Sequence, residues 1–151
     1  MKKVLLILAC GIATQLSYAQ ATPKWADKAK KAVFSIVTYD KDNKIKNTGN
    51  GFYINENGTA LSDYTLFEGA ERAVIINADS KELPVLRILG ANSMYDIVKF
   101  NTEADKKTIA LKSASQPASV GETVYLLPYS TQKAATCQTG TVTKEIGRAH
   151  V

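Results

Sequence analysis

The sequence of 151 residues holds one histidine, His150, and two cysteines, Cys10 and Cys137. That supply cannot build a four-ligand zinc centre without help from carboxylates, and two cysteines do not make a disulfide framework. No metal and no cofactor are expected, and metal-centred hydrolysis is excluded as a leading reading. Imidazole-dependent catalysis would rest on one residue placed second from the end. Internal repeats and low-complexity tracts are also missing. Apolar residues at 45% and charged residues at 22% are ordinary for a globular chain and exclude disorder or a collagen-like structure. The length favours one domain.

The two ends are read apart from the fold. Lys2 and Lys3, the apolar stretch from Val4 through Ile12, and the small residues Ser17 and Ala19 have the order of a secretory signal with cleavage after Ala19. The apolar stretch is too short for a permanent membrane anchor, and no integral membrane segment is expected after cleavage. The alternative takes Ile7-Leu8-Ala9-Cys10 as a lipobox that attaches lipid to Cys10. Residues Ile146-Gly147-Arg148-Ala149-His150-Val151 read as one frame of a sequencing-library adapter, the alternative being a genuine C-terminus. Setting both ends aside removes Lys2, Lys3 and Arg148, which brings a formally +5 chain close to balance. It also removes the histidine.

Between these ends the pattern is mostly that of short strands. Thr22-Pro23 predicts a helix start with Thr22 as cap, and Trp25, Ala29 and Ala32 recur at helical spacing. Period-two, β-branched segments follow: Val33 to Tyr39, Gly51 to Ile54, Thr59 to Ser62, Ala73 to Asn77, Leu83 to Leu89 and Ile97 to Phe100. Asp40-Lys41-Asp42-Asn43-Lys44, Asn57-Gly58 and Asp79-Ser80-Lys81 supply turns. Strands this short and closely spaced predict a small closed barrel. A polar connector from Asn101 to Gly121 leads to two more strands, Val124 to Leu127 and Thr139 to Thr143. The stretch from Lys24 to Lys46 is lysine-rich, but without arginine forks or free base-stacking aromatics it reads as a solvated face, so no nucleic-acid partner is expected.

Four motifs in this order resemble the trypsin-like serine proteases of the HtrA type. Gly49-Asn50-Gly51-Phe52 stands for that family's Gly-Ser-Gly-Phe strand. The stretch from Asn57 to Ala70 stands for the strand that ends in Asn-His-Val-Val-Glu-Gly-Ala; an ungapped match from Gly58 to Gly69 puts Thr65 at the histidine position. Tyr95-Asp96-Ile97-Val98-Lys99-Phe100 resembles the Asp-Ile-Ala-Leu-Leu motif, with Asp96 at the position of the orienting aspartate. Val120-Gly121-Glu122-Thr123-Val124 resembles the opening of the family's second barrel. The resemblance implies an all-β, trypsin-like double β-barrel with the first barrel and the start of the second present. Its expected divisions are 1–19 signal, 20–31 helical lead-in, 32–112 first barrel, 113–145 connector and start of the second barrel, and 146–151 adapter. The Gly-Asn-Ser-Gly-Gly motif that would bring the nucleophile is not in this sequence.

The departure from the family falls on the chemistry. Serine acyl transfer needs a base that is neutral at working pH and accepts the hydroxyl proton. The threonine hydroxyl at position 65 is no such base, and Tyr64 ordinarily ionises near 10. Asp96 is then the vestige of a triad, or a carboxylate bonded to a hydroxyl or backbone N–H, with Thr65 and Tyr64 as the named candidates. Cys137 reads as a small buried apolar residue or a half-cystine, and Asp63 and Glu68 as solvated surface. The expected function is an exported, periplasmic or extracellular serine protease homologue, catalytically inactive, whose cleft binds a protein or peptide. Two alternatives remain: an active serine endopeptidase with its other catalytic residues elsewhere, and an unrelated exported β-domain with a structural role.

Overall fold

A computed structural model describes residues 23–104, 108–127 and 137–144. The expected signal segment with Cys10, the expected cap Thr22, Lys106 and Lys107 of the connector, and the tail with His150 lie outside the described residues. Six strands form the centre: β1 (Val33–Tyr39), β2 (Ile45–Tyr53), β3 (Thr59–Ser62), β4 (Arg72–Ile76), β5 (Glu82–Asn92) and β6 (Ile97–Thr102). They close into an antiparallel barrel in the order β1-β2-β3-β6-β5-β4, and β4 returns to β1 from Ser35↔Ile76 to Tyr39↔Arg72. Closure pairs most of the edge that an open sheet of this size would expose.

The interior is filled from alternate positions. Phe34 and Ile36 of β1, Tyr53 of β2, Ala60 of β3, Ile75 of β4, Leu83 of β5, and Val98 and Phe100 of β6 form one buried cluster. The Phe34 ring meets Tyr53 at 4.9 Å and Phe100 at 6.2 Å, both edge-on, the arrangement that aromatic quadrupoles favour. Buried polar side chains find partners within the barrel: Ser62 Oγ donates to Asn50 O at 2.7 Å, Thr102 Oγ1 to Pro84 O at 2.7 Å and Thr59 Oγ1 to Asn101 Oδ1 at 3.0 Å. No buried side-chain polar atom among the described residues lacks a partner. Ala110 packs on the cluster, and Leu111 N–H donates to Tyr53 O at 2.9 Å, so the connector first runs back along the barrel.

Three loops share one construction. Asp40, Asn55 and Asn77 each use Oδ1 to accept the backbone N–H groups two and four residues ahead, at 2.9–3.1 Å. The residue three ahead takes a positive φ in each case: Asn43 at 61°, Gly58 at 79° and Ser80 at 60°. The Asn57-Gly58 signal therefore works within a five-residue loop organised by Asn55, with glycine alone in the left-handed region, instead of as a two-residue hairpin turn.

Strand β2 starts six residues before the expected Gly51. Asn47, Gly49 and Asn50 have little strand propensity, yet this stretch pairs with β1 from Asn47↔Thr38 to Asn50↔Ser35, so tertiary pairing prevails. The helix α1 (Ala26–Lys30) begins with the Ala26 N–H on Pro23 O at 2.9 Å. Ala26 and Ala29 on its inward face and Ala32 just beyond its end are all buried, so small side chains allow close approach. Trp25, expected in the packing face, is instead 49% exposed and sits edge-on to Tyr125 at 5.0 Å. Tyr125 belongs to a separate two-stranded ribbon, β7 (Thr123–Leu126) and β8 (Gln138–Thr141), exposed along both strands. No helix among the described residues is long and apolar enough to cross a membrane.

Candidate functional site

Antiparallel register delivers the two residues singled out by motif to one place. Strand β3 ends opposite β6 at Ser62↔Val98. Continuing that ladder by two residues brings position 64 against position 96, and Tyr64 N–H indeed donates to Asp96 O at 3.2 Å. A single 3-10 turn, Tyr64–Leu66, follows β3 and presents Thr65; the turn between β5 and β6 presents Asp96. Asp96 stands at φ 50°, a left-handed conformation that Asp tolerates better than most residues.

Asp96 Oδ1 accepts two hydrogen bonds from Thr65, one from its backbone N–H at 2.7 Å and one from its hydroxyl at 2.7 Å. The Thr65 side-chain hydroxyl, then its backbone N–H, hold the carboxyl below the ordinary aspartate value of 3.8. Both residues are exposed. A carboxylate with a lowered pKa is a weaker base, and a threonine hydroxyl already donating to it supplies no base either. The pair can orient donors and accept a hydrogen bond; it has no group that would take a proton from a serine near neutrality.

The turn that carries Thr65 is fixed from the opposite side as well. Asn47 Nδ2 on β2 donates to Leu66 O at 3.2 Å and Thr65 O at 3.5 Å. Leu66 lies over Gly49, where an added Cβ would collide with Leu66 Cδ1, and packs on the core with Tyr64 and Phe67. Neither Asn47 nor Leu66 stood out in the sequence: Asn47 lies in a polar stretch with no motif, and Leu66 looks like any apolar residue within the matched stretch. Asp63 and Glu68 are exposed and do not bond to Thr65. Cys137 is a free, half-buried thiol just before β8, less sheltered than expected. Among the described residues no group of three His, Cys, Asp or Glu side chains could hold a metal.

A closed six-stranded antiparallel barrel in this strand order, with the turn after β3 meeting the turn before β6, has the trypsin-like protease fold. The chain is similar to the crystal structure of the serine endoprotease from Yersinia pestis, with a TM-score of 0.67 and 16% identity over 79% of this chain and 43% of that one. It is similar also to the HtrA-type protease AlgW with tripeptide, with a TM-score of 0.68 and 15% identity over 81% of this chain and 40% of that one. The chain thus spans 40–43% of the length of these solved structures. No family model and no curated protein sequence matches it.

Proposed function

We propose that this chain is the first-barrel portion of an exported serine protease homologue that has lost its catalytic base and binds protein or peptide in its cleft without cutting. One observation carries the reading. At the position that the resemblance gives to histidine stands Thr65, and both of its donors are committed to Asp96 Oδ1 at 2.7 Å. In a working triad an aspartate holds an imidazole in the right tautomer; here it holds a short side chain and its backbone. The signal-like segment at residues 1–19 supports export to the periplasm or the outside of the cell. Loss of a triad member lowers turnover by orders of magnitude, so the surviving property of such a cleft is binding.

The test is made on the product of the complete gene. A fluorophosphonate probe is expected to leave it unlabelled, and casein is expected to bind without being cleaved. Labelling together with casein cleavage overturns the proposal.

A further inference from the structure

The barrel has a fork that its own strands leave open. Strand β5 pairs with β4 at three positions only, from Ile76↔Glu82 to Val74↔Pro84. Past Pro84, which has no N–H to continue the ladder, β5 runs on to Asn92 paired with β6 alone, while Ala73 and Arg72 of β4 pair with β1 alone. Among the described residues, one backbone edge of β5 from Val85 to Asn92 has no strand beside it. The fork holds a groove of about 200 Å³ floored by Phe67, Val85 and Leu86 and flanked by Glu71, Arg72 and Arg87. Neither Thr65 nor Asp96 lines it.

The edge is apolar, and the charged groups along its groove leave a small positive excess. Leu86 and Leu89 are skipped in the β5–β6 register and stand 60% and 42% exposed, and Ile88 is 46% exposed. Arg87 is exposed and forms no ion pair, since the one ion pair among the described residues joins Lys30 and Asp27. Arg72 stacks 3.6 Å over the Tyr39 ring and donates through Nε and Nη2 to Asn43 Oδ1, a neutral acceptor, so its charge meets no carboxylate. Glu71 offsets one of the two cations. Unpaired strand edges invite pairing with an added strand, and peptides dock in this way by main-chain hydrogen bonds, with side-chain pockets adding selectivity.

We infer that the open β5 edge, with Arg72 and Arg87 beside it, binds an extended peptide as an added strand, with apolar side chains over the groove floor alternating with acidic ones facing the arginines. A second copy of the chain is the less favoured occupant, because pairing two β5 edges would bring two arginine-bearing forks together. This site is separate from the cleft pair and stands or falls without it.

The experiment measures fluorescence anisotropy with the full 151-residue chain and a fluorescein-labelled Glu-Val-Glu-Val-Glu-Val peptide. Its lysine counterpart and a version N-methylated at alternate residues are the controls. The acidic peptide is expected to bind at least about fivefold tighter than the lysine peptide, the range that a few exposed charge pairs provide. N-methylation is expected to weaken binding at least about tenfold through lost main-chain bonds. Arg87→Glu is expected to reverse the charge preference with the unfolding midpoint unchanged. Equal binding of the acidic and lysine peptides, or indifference to N-methylation, overturns the inference even if the Arg87→Glu variant fails to fold. Concentration-dependent dimerisation through this edge in sedimentation, with no peptide binding, assigns the edge to a second copy and also overturns it.

Discussion

Gly51→Ala tests whether the barrel interior is as tightly closed as its geometry implies. A Cβ at position 51 would collide with Phe34 Cε2, lie 2.7 Å from Phe34 Cζ and 2.8 Å from the Leu61 carbonyl oxygen. Neither neighbour can yield. The Phe34 ring is fully buried between Tyr53 and Phe100, and the Leu61 carbonyl belongs to the backbone opposite Phe52 in the β2–β3 ladder. Overpacking a closed core costs about 1–3 kcal/mol, and a site with a ring and a backbone atom below 3.0 Å belongs at the upper end. Restricting the unfolded chain returns about 0.4–1 kcal/mol, so the net expectation is a loss of about 2 kcal/mol. At about 4–8 °C per kcal/mol for a domain of this size, Tm falls by about 10 °C. Gly49→Ala is the internal comparison. There the obstacle is the end of the Leu66 side chain, which can swing aside, so the net change in stability stays within about 1 kcal/mol. Its effect is local, because Leu66 anchors the turn that holds Thr65 on Asp96. Urea unfolding of both variants decides the matter. A Gly51→Ala variant within about 0.5 kcal/mol of the parent, the scatter of neutral surface changes, or one more stable than Gly49→Ala, refutes the packing argument.

Removing the hydroxyl with Thr65→Val is expected to raise the Asp96 carboxyl midpoint toward 3.8 in a carbon-detected NMR titration, because the Thr65 side chain is the first cause of the lowering. The linkage sign follows: the contribution of this contact is fully present above the unfolded value of 3.8 and is lost as pH falls through the depressed folded value, so the parent and variant should converge in acid. Thr65→His should place an imidazole beside the Asp96 carboxylate, and its NMR titration is expected above the ordinary histidine value of about 6.5; an unshifted titration means that the pair does not occupy triad geometry. Asn55→Ala removes the acceptor for two loop N–H groups, of Asn57 and Thr59, and is expected to lower stability by about 1–2 kcal/mol in urea unfolding; no measurable change would show that the loop holds without it.

The barrel was legible because its signals were local. Val33 to Tyr39 is β-branched and aromatic, and it is the strand β1 to the residue. The first half of β2 was not legible, since its glycines and asparagines are chosen by what presses on them: Leu66 on Gly49, and the Tyr64–Leu66 turn on Asn47. Trp25 went astray for a similar reason. Helical spacing fits either Trp25 or Ala26 to the buried face, and the close approach that favours alanine is a tertiary fact.

The Thr65–Asp96 pair lies between these cases. Motif order could name both residues, but their meeting depends on the Ser62↔Val98 register, a pairing of strands 36 positions apart in sequence that no local pattern encodes. That register also explains why the meeting of positions 65 and 96 does not depend on an imidazole. The ladder extends from Ser62↔Val98 through the Tyr64 N–H on the Asp96 carbonyl oxygen, so the backbone places position 65 over the Asp96 carboxylate whatever side chain it carries. The Thr65 N–H bond to Oδ1 is part of that backbone arrangement, and the hydroxyl adds to it. A substitution at position 65 therefore changes the chemistry of this pair without unmaking its backbone geometry.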